Sequence, residues 1–288
     1  MALISLGPLL EHARHHHYAV GAFNFGNAET AQAIIEAGEA LRSPVLFIYG
    51  PSEVRLYGAQ AVVDIASCLA KRATVPVGLH LDHTGDIETI QACIDAGFPS
   101  VMIDGSALPF DENVRLTRAV VLLAHERGVT VEGELGAIGR VDDSTVEGGE
   151  ESTLTDPEQA AEFARLTGVD ALACSIGNAH GMYPQKPHLD LARLTRIREL
   201  TPTQLVLHGG SGTPTDQLRG AVNIGVTKVN VASEIGRAYL SGINECLERT
   251  AGKEWWVHAL IEGKQHVRGV VERWMHNLGS AGMLDKGA

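Results

Sequence analysis

Three of the thirteen histidines sit where chemistry is done. His83 closes the run His80-Leu81-Asp82-His83. His180 lies in Ile176-Gly177-Asn178-Ala179-His180-Gly181, and His208 in Val206-Leu207-His208-Gly209-Gly210-Ser211. Each follows or ends a short apolar, β-branched run. Three neutral imidazoles on Zn2+ leave the ion its full double charge and an open coordination position. Such a centre polarises a carbonyl and stabilises an enediolate. The alternative is three unrelated polar residues at strand ends. Carboxylates gather at the same ends: Asp82, Asp104, Glu132 and Glu134. Glu132 and Glu134 alternate along a strand and point the same way. Burying that pair is costly unless a metal or a Lys/Arg neighbour meets it. Asp104-Gly105 also reads as ordinary turn chemistry. Finally, Gly209-Gly210-Ser211-Gly212 and Asn230-Val231-Ala232-Ser233 are each followed by a helical stretch. Glycine turns and helix N-termini of this kind hold phosphate through backbone N–H groups.

The elements that must position these residues repeat eight times. Apolar runs recur at Val20–Phe25, Val45–Ile48, Val77–Leu81, Ser100–Ile103, Thr130–Leu135, Ala171–Ile176, Gln204–Leu207 and Lys228–Val231, with starts 23 to 41 residues apart. Amphipathic stretches such as Ala28–Leu41 and Asp111–Arg127 lie between them. This is the rhythm of βα units. Strands this apolar suit a parallel sheet covered on both faces. Eight units predict an α/β fold, a (β/α)8 TIM barrel, spanning residues 1–288 as a single domain with extra C-terminal helices over Glu234–Thr250 and Glu254–Leu278. A doubly wound sheet is the alternative, but no G-x-G-x-x-G follows the first strand. In a barrel the carboxyl ends of strands form the active-site face, where all three histidines fall, and the loops after strands seven and eight are habitual phosphate sites. Thr155-Asp156-Pro157-Glu158 reads as a cap with proline in the first turn. Gly136–Thr155 and Gly177–His188 exceed ordinary loop length; loops this long inside a compact domain are usually functional or mobile.

The chain has 288 residues, 44% hydrophobic and 20% charged, which is ordinary globular composition with material for a large core. Its net charge of −12, without a Lys/Arg block, argues against nucleic acid and anionic membrane as partners. Cys68, Cys93, Cys174 and Cys246 form no C-x-x-C pair. No apolar run has transmembrane length and no signal peptide is read, so a cytoplasmic location is expected. His15-His16-His17 precedes the first strand, at the opposite end of a barrel, and is read as a solvated helix end. Trp255, Trp256 and Trp274 are expected to pack on the barrel or a partner subunit.

End to end, the sequence resembles the class II, zinc-dependent ketose-bisphosphate aldolases, the fructose- and tagatose-bisphosphate aldolase family. Beyond the motifs above, the likeness is carried by Tyr18-Ala19-Val20-Gly21-Ala22-Phe23-Asn24, Ser100-Val101-Met102-Ile103-Asp104-Gly105-Ser106, Val131-Glu132-Gly133-Glu134-Leu135-Gly136, Thr227-Lys228-Val229-Asn230-Val231 and Gly279-Ser280-Ala281-Gly282. The resemblance implies that His83, His180 and His208 hold zinc and that Asp104 and Glu134 offer a second metal position. It implies that Asp82 exchanges a proton with the ketose C4 hydroxyl. Gly181, Gly209, Gly210, Ser211, Asn230 and Ser233 would surround the dihydroxyacetone-phosphate half, with Asn230 also near the reacting carbons and Asn24 in the pocket. A monovalent cation, Na+ or K+, near the phosphate and a homodimer or homotetramer are further implications. The chemistry is coherent: breaking C3–C4 leaves a carbanion that needs an electron sink. A lysine Schiff base is unsupported, because no lysine ends a strand and Lys228 only starts the eighth.

Two departures stand out. The family's loop glutamate after strand five, which protonates the enediolate carbon, aligns with Asp142, one methylene shorter, and Arg140 replaces a loop glycine within Gly139–Ser144. After strand two, Gly50 stands where many members have a serine near the distal phosphate, with Ser52, Glu53 and Arg55 beside it. The expected activity is cleavage of fructose or tagatose 1,6-bisphosphate to dihydroxyacetone phosphate and an aldehyde. A monophosphorylated or acidic ketose, a metal-dependent sugar-phosphate epimerase and a non-catalytic sugar-phosphate-binding subunit are the competing readings.

Overall fold

The computed structural model describes residues 2–142 and 152–286. Its centre is a closed, all-parallel barrel of eight strands in sequential order. The strands are β1 (Val20–Asn24), β2 (Val45–Tyr49), β3 (Val77–Thr84), β4 (Ser100–Ile103), β5 (Thr130–Leu135), β6 (Ala171–Cys174), β7 (Gln204–Leu207) and β8 (Val226–Val231). Closure joins β1 to β8 through Ala22 opposite Asn230. This is the (β/α)8 barrel the alternating pattern predicts, with helices Ser233–Thr250 and Trp256–Leu278 appended after β8.

Two apolar clusters hold it. One lies between the outer strand faces and the surrounding helices, including Phe23, Phe47, Leu79, Val101, Phe163 and Val229. The other fills the amino-terminal half of the bore with Val20, Ala22, Leu46, Ala171, Ala173 and Val206. Leu6, Leu9 and Leu10 of the helix Leu6–His15 stop that end. His15 therefore stands at the mouth opposite the strand ends, as expected. The carboxyl-terminal half of the bore is polar instead: His80, Asp82, Glu132, Glu134, Lys228 and Asn230 are all buried there. Helix starts follow their caps. Asn27 makes a reciprocal capping box with Thr30. Asp156 accepts from Gln159 N ahead of the helix Pro157–Thr167, with Pro157 in its first turn.

Five strands have bounds other than those read from the sequence: β1 stops at Asn24 rather than Phe25, β2 runs on to Tyr49, and β3, β6 and β8 differ as well. β3 runs on to Thr84, because its pairing with β4 shifts register between Leu81 and Thr84. β6 stops at Cys174 rather than Ile176, and β8 begins at Val226 rather than Lys228. Trp274 packs in the core and donates from Nε1 to Glu234 at 3.0 Å. Trp255 and Trp256, by contrast, are about 60% exposed. Among the described residues no helix is long and apolar enough to cross a membrane.

Candidate active site

The register shift in β3 decides where the first histidine points. Alternation puts His80 and Asp82 into the bore. His83 then takes a left-handed backbone, φ 39°, which brings it to the strand end facing inward as well. His83 donates from Nδ1 to Asp104 Oδ2 at 3.0 Å, which sets the ring plane. Its ring stacks edge-on against His180 and His208, with centroids 4.6 and 4.5 Å away. His180 is held by its own backbone: its N–H donates to Gly139 O at 2.8 Å and its carbonyl accepts from Val141 N at 2.9 Å. The base of the long loop after β5 is thereby bridged to it.

Ligating atoms of His83, His180 and His208 lie within 4.8 Å of one another, and so do those of His83, Asp104 and Glu134. Both ring nitrogens of His180, Nδ1 of His208 and Oε2 of Glu134 are buried without a hydrogen-bond partner. Buried polar atoms are seldom left so, and a shared ion is one thing that satisfies them together. Burial, reinforced by the neighbouring imidazoles, pushes His180 and His208 well below the usual histidine range. They present neutral lone pairs, the form a cation needs. Burial alone would raise Asp104, but hydrogen bonds and charge from His83 and the bonds from Ser106 outweigh it and hold the group low. Glu134 is driven up, first by burial and then by Asp104. The donor set fits a divalent cation with imidazole and carboxylate ligands.

Asp82 is fully buried beside this cluster, and Asn230 Nδ2 donates to both its oxygens, at 3.0 and 2.8 Å. Around them the loops after β6, β7 and β8 converge. A small cleft is lined by His180, Gly181, Gly209, Ser211, Asn230, Ala232 and Ser233. Gly209 has φ 60°, and a Cβ there would collide with the Ala179 carbonyl. Ser211 Oγ accepts from Glu234 N at 3.3 Å, in the first turn of the helix beginning at Ser233. Backbone, glycine and a helix N-terminus thus meet around this cleft. Tyr183, which the sequence reading passed over, braces the cleft by accepting from Ala179 N at 2.6 Å and donating to Gly209 O at 3.0 Å.

Asp142 lies against Gly181, with Oδ1 accepting from Met182 N at 3.2 Å and Oδ2 from Arg237 at 2.9 Å. Positions 143–151 of the same loop, including Asp143 and Ser144, lie outside the described residues. A cavity of about 930 Å3 opens from His83 and Asp104 toward the loops after β1 and β2. Asn24, Gly50, Ser52, Glu53, Arg55 and Arg237 line it. Asn24 Nδ2 donates to Glu53 Oε1 at 3.4 Å, and Arg55 donates to Ser52 Oγ at 3.2 Å.

Lys228 needs a correction. It is not at the start of β8 but inside it, wholly buried, with its amine 2.8 Å from Glu132 Oε2. It is the cation that the acid pair on β5 called for.

Relatives decide the family. A sequence profile described as class II fructose-bisphosphate aldolase matches residues 4–283. The chain belongs to the class II fructose-bisphosphate aldolase family. It is therefore an aldolase, a carbon–carbon lyase of a metal-dependent family. Among solved structures, a putative fructose-1,6-bisphosphate aldolase from Coccidioides immitis is 34% identical, with 96% of this chain and 97% of that one covered and a TM-score of 0.88. The YdjI aldolase of Escherichia coli K12 is 32% identical over 97% and 98% of the two chains, with a TM-score of 0.84. Fructose-bisphosphate aldolase from Campylobacter jejuni, 23% identical over 97% and 96% with a TM-score of 0.85, shares the fold.

Proposed function

We propose that this aldolase is zinc-dependent and reversibly cleaves C3–C4 of a ketose 1,6-bisphosphate, of fructose or tagatose configuration, to dihydroxyacetone phosphate and an aldehyde. The observation that carries the reading is the convergence of ligating atoms from His83, His180 and His208, within 4.8 Å of one another, beside the strand end that bears Asp82. Zinc, held by those three, supplies the electron sink for the carbanion that cleavage leaves. Asp104 and Glu134 offer a second position for the ion.

The chain's own residues do the rest. Asp82 takes the proton of the C4 hydroxyl as the aldehyde departs. Asn230, bonded to both Asp82 oxygens, aims that carboxylate beside the reacting carbons. Backbone around Gly181, Gly209 and Gly210, with Ser211 and Ser233, cradles the phosphate of the three-carbon half, and Na+ or K+ assists there. Asn24 contacts substrate at the pocket wall. Asp142, carrying a proton taken from solvent, donates it to the carbon on the other side of the broken bond, while Asp82 keeps the C4 hydroxyl proton.

A second reading concerns the far end of the substrate. Gly50 removes a hydroxyl and Glu53 brings a negative charge into the cavity beside Arg55. That mixture also suits a ketose monophosphate with a carboxylate or neutral distal end. The test measures triose-phosphate release from both bisphosphates, with zinc and after chelation. Release that chelation abolishes and zinc restores supports the proposal, and the rate ratio names the sugar. No release from the zinc-loaded protein would move the assignment to monophosphorylated or acidic ketoses.

A further inference from the structure

Resting on the zinc reading above, we infer that Glu132, held by Lys228, is a positioning residue that selects which nitrogen of His208 faces the metal. Neither residue touches the substrate cavities. Glu132 and Lys228 are completely buried in the bore of the barrel. Burying a lone charge there would be prohibitive, and even a pair needs a reason.

The geometry supplies one. Glu132 Oε1 lies 2.7 Å from His208 Nε2, and its other oxygen lies 2.8 Å from Lys228 Nζ. A carboxylate only accepts, so the hydrogen must sit on His208 Nε2. Nδ1 is then the lone pair. That nitrogen is buried without a hydrogen-bond partner, with Glu134 Oε2 3.4 Å away. The opposite tautomer would set the Nε2 lone pair against the Glu132 carboxylate and turn N–H toward the gathered ligands. Lys228 occupies one oxygen of Glu132 and so leaves the other aimed at the ring. His80 Nε2, 3.6 Å from Glu132 Oε2, closes the remaining side. Met102 and Ala171 lie opposite Glu132 on the two neighbouring strands.

The experiment follows zinc loss from the loaded protein to excess chelator. It compares wild type with two doubles, Lys228→Met with Glu132→Leu and Lys228→Met with Glu132→Gln. Both remove the buried charges together, which tends to preserve folding where removing one partner does not. The leucine double has no acceptor for His208 Nε2, and its zinc is expected to be held about 10- to 100-fold more weakly. The glutamine double keeps a neutral acceptor and is expected to recover most of that loss. Nitrogen-15 spectra of the metal-free protein should show His208 as the Nε2–H tautomer in wild type and a mixture in the leucine double. Equal zinc retention in wild type and the leucine double overturns the inference while leaving the metal reading intact. Equal weakening in both doubles also overturns it, since that would be a packing effect. A wild-type protein that takes up no zinc defeats the metal reading and this inference with it. Failure to cleave any ketose phosphate, with zinc held and the doubles differing as expected, rejects the substrate assignment and upholds the positioning role.

Discussion

Arg237, in the second turn of the helix Ser233–Thr250, donates to Asp142 Oδ2 at 2.9 Å, joining the loop after β5 to the element after β8. The arginine side chain is 56% exposed, so the pair contributes about 1 kcal/mol or less. It orients Asp142 without burying it. If Asp142 supplies the proton to the enediolate carbon, as proposed, it should matter far more than its tether. Asp142→Ala is expected to lower kcat about 100-fold or more while KM moves less than about threefold. Arg237→Met should lower kcat only several-fold and leave the melting temperature nearly unchanged. Steady-state kinetics on the two variants check this. Wild-type turnover in Asp142→Ala would transfer the role to another residue.

The Asp82–Asn230 contact makes a prediction about coupling. The amide reaches both carboxylate oxygens, and the two residues lie 148 positions apart. If Asn230 works through Asp82, the two substitutions cannot be independent. Asp82→Ala is expected to reduce cleavage by about 10^2- to 10^4-fold. Asn230→Ala should cost a smaller factor, and the double variant should be no slower than Asp82→Ala by more than about threefold. A product of the two single effects would mean that Asn230 acts on substrate separately from Asp82.

Much of this was legible in the chain because barrel chemistry is periodic. β4, β5 and β7 have the bounds their apolar runs mark; His83 and His208 lie at strand ends and His180 in the loop after β6, all on the face where barrel sites are built. What was hidden depended on contacts between distant residues. The β3 register shift that turns His83 inward has no local signature beyond a histidine with positive φ. Lys228 was misplaced for a simple reason: a strand begun at Val226 puts Lys228 and Asn230 on one face, whereas one begun at Lys228 makes the lysine look terminal. Arg237 sits 95 positions from Asp142, in a helix that reads as an ordinary amphipathic one.

Glycine substitutions separate strain from helix propensity. Gly209 combines φ 60° with a Cβ position that would overlap Ala179 O. Gly209→Ala is expected to lower the melting temperature by about 5 °C or more, from a left-handed penalty of about 1–2 kcal/mol plus the overlap. It should also raise KM for any substrate that carries the three-carbon phosphate. Gly269, within the helix Trp256–Leu278, has open space around its Cβ position. Gly269→Ala should raise stability by about 1 kcal/mol. Thermal melts of the pair read both effects, and a neutral Gly209→Ala would argue that the loop after β7 adapts freely.

Arg55 and Glu53 face one cavity with opposite charge, so substrate choice at the distal end is expected to follow their balance. With a bisphosphate, Arg55→Ala should lower kcat/KM about tenfold, the scale of one charge-assisted hydrogen bond. A ketose 1-phosphate lacking the distal anion should lose less than about twofold. Glu53→Gln removes the repulsion and should move the bisphosphate in the opposite direction, raising its kcat/KM by several-fold. The informative quantity is the ratio of kcat/KM for the two substrates, since it cancels effects on the shared phosphate and the metal. A ratio that Arg55→Ala leaves unchanged would mean that the distal group does not meet this wall, and would favour a natural substrate that is neutral at that end.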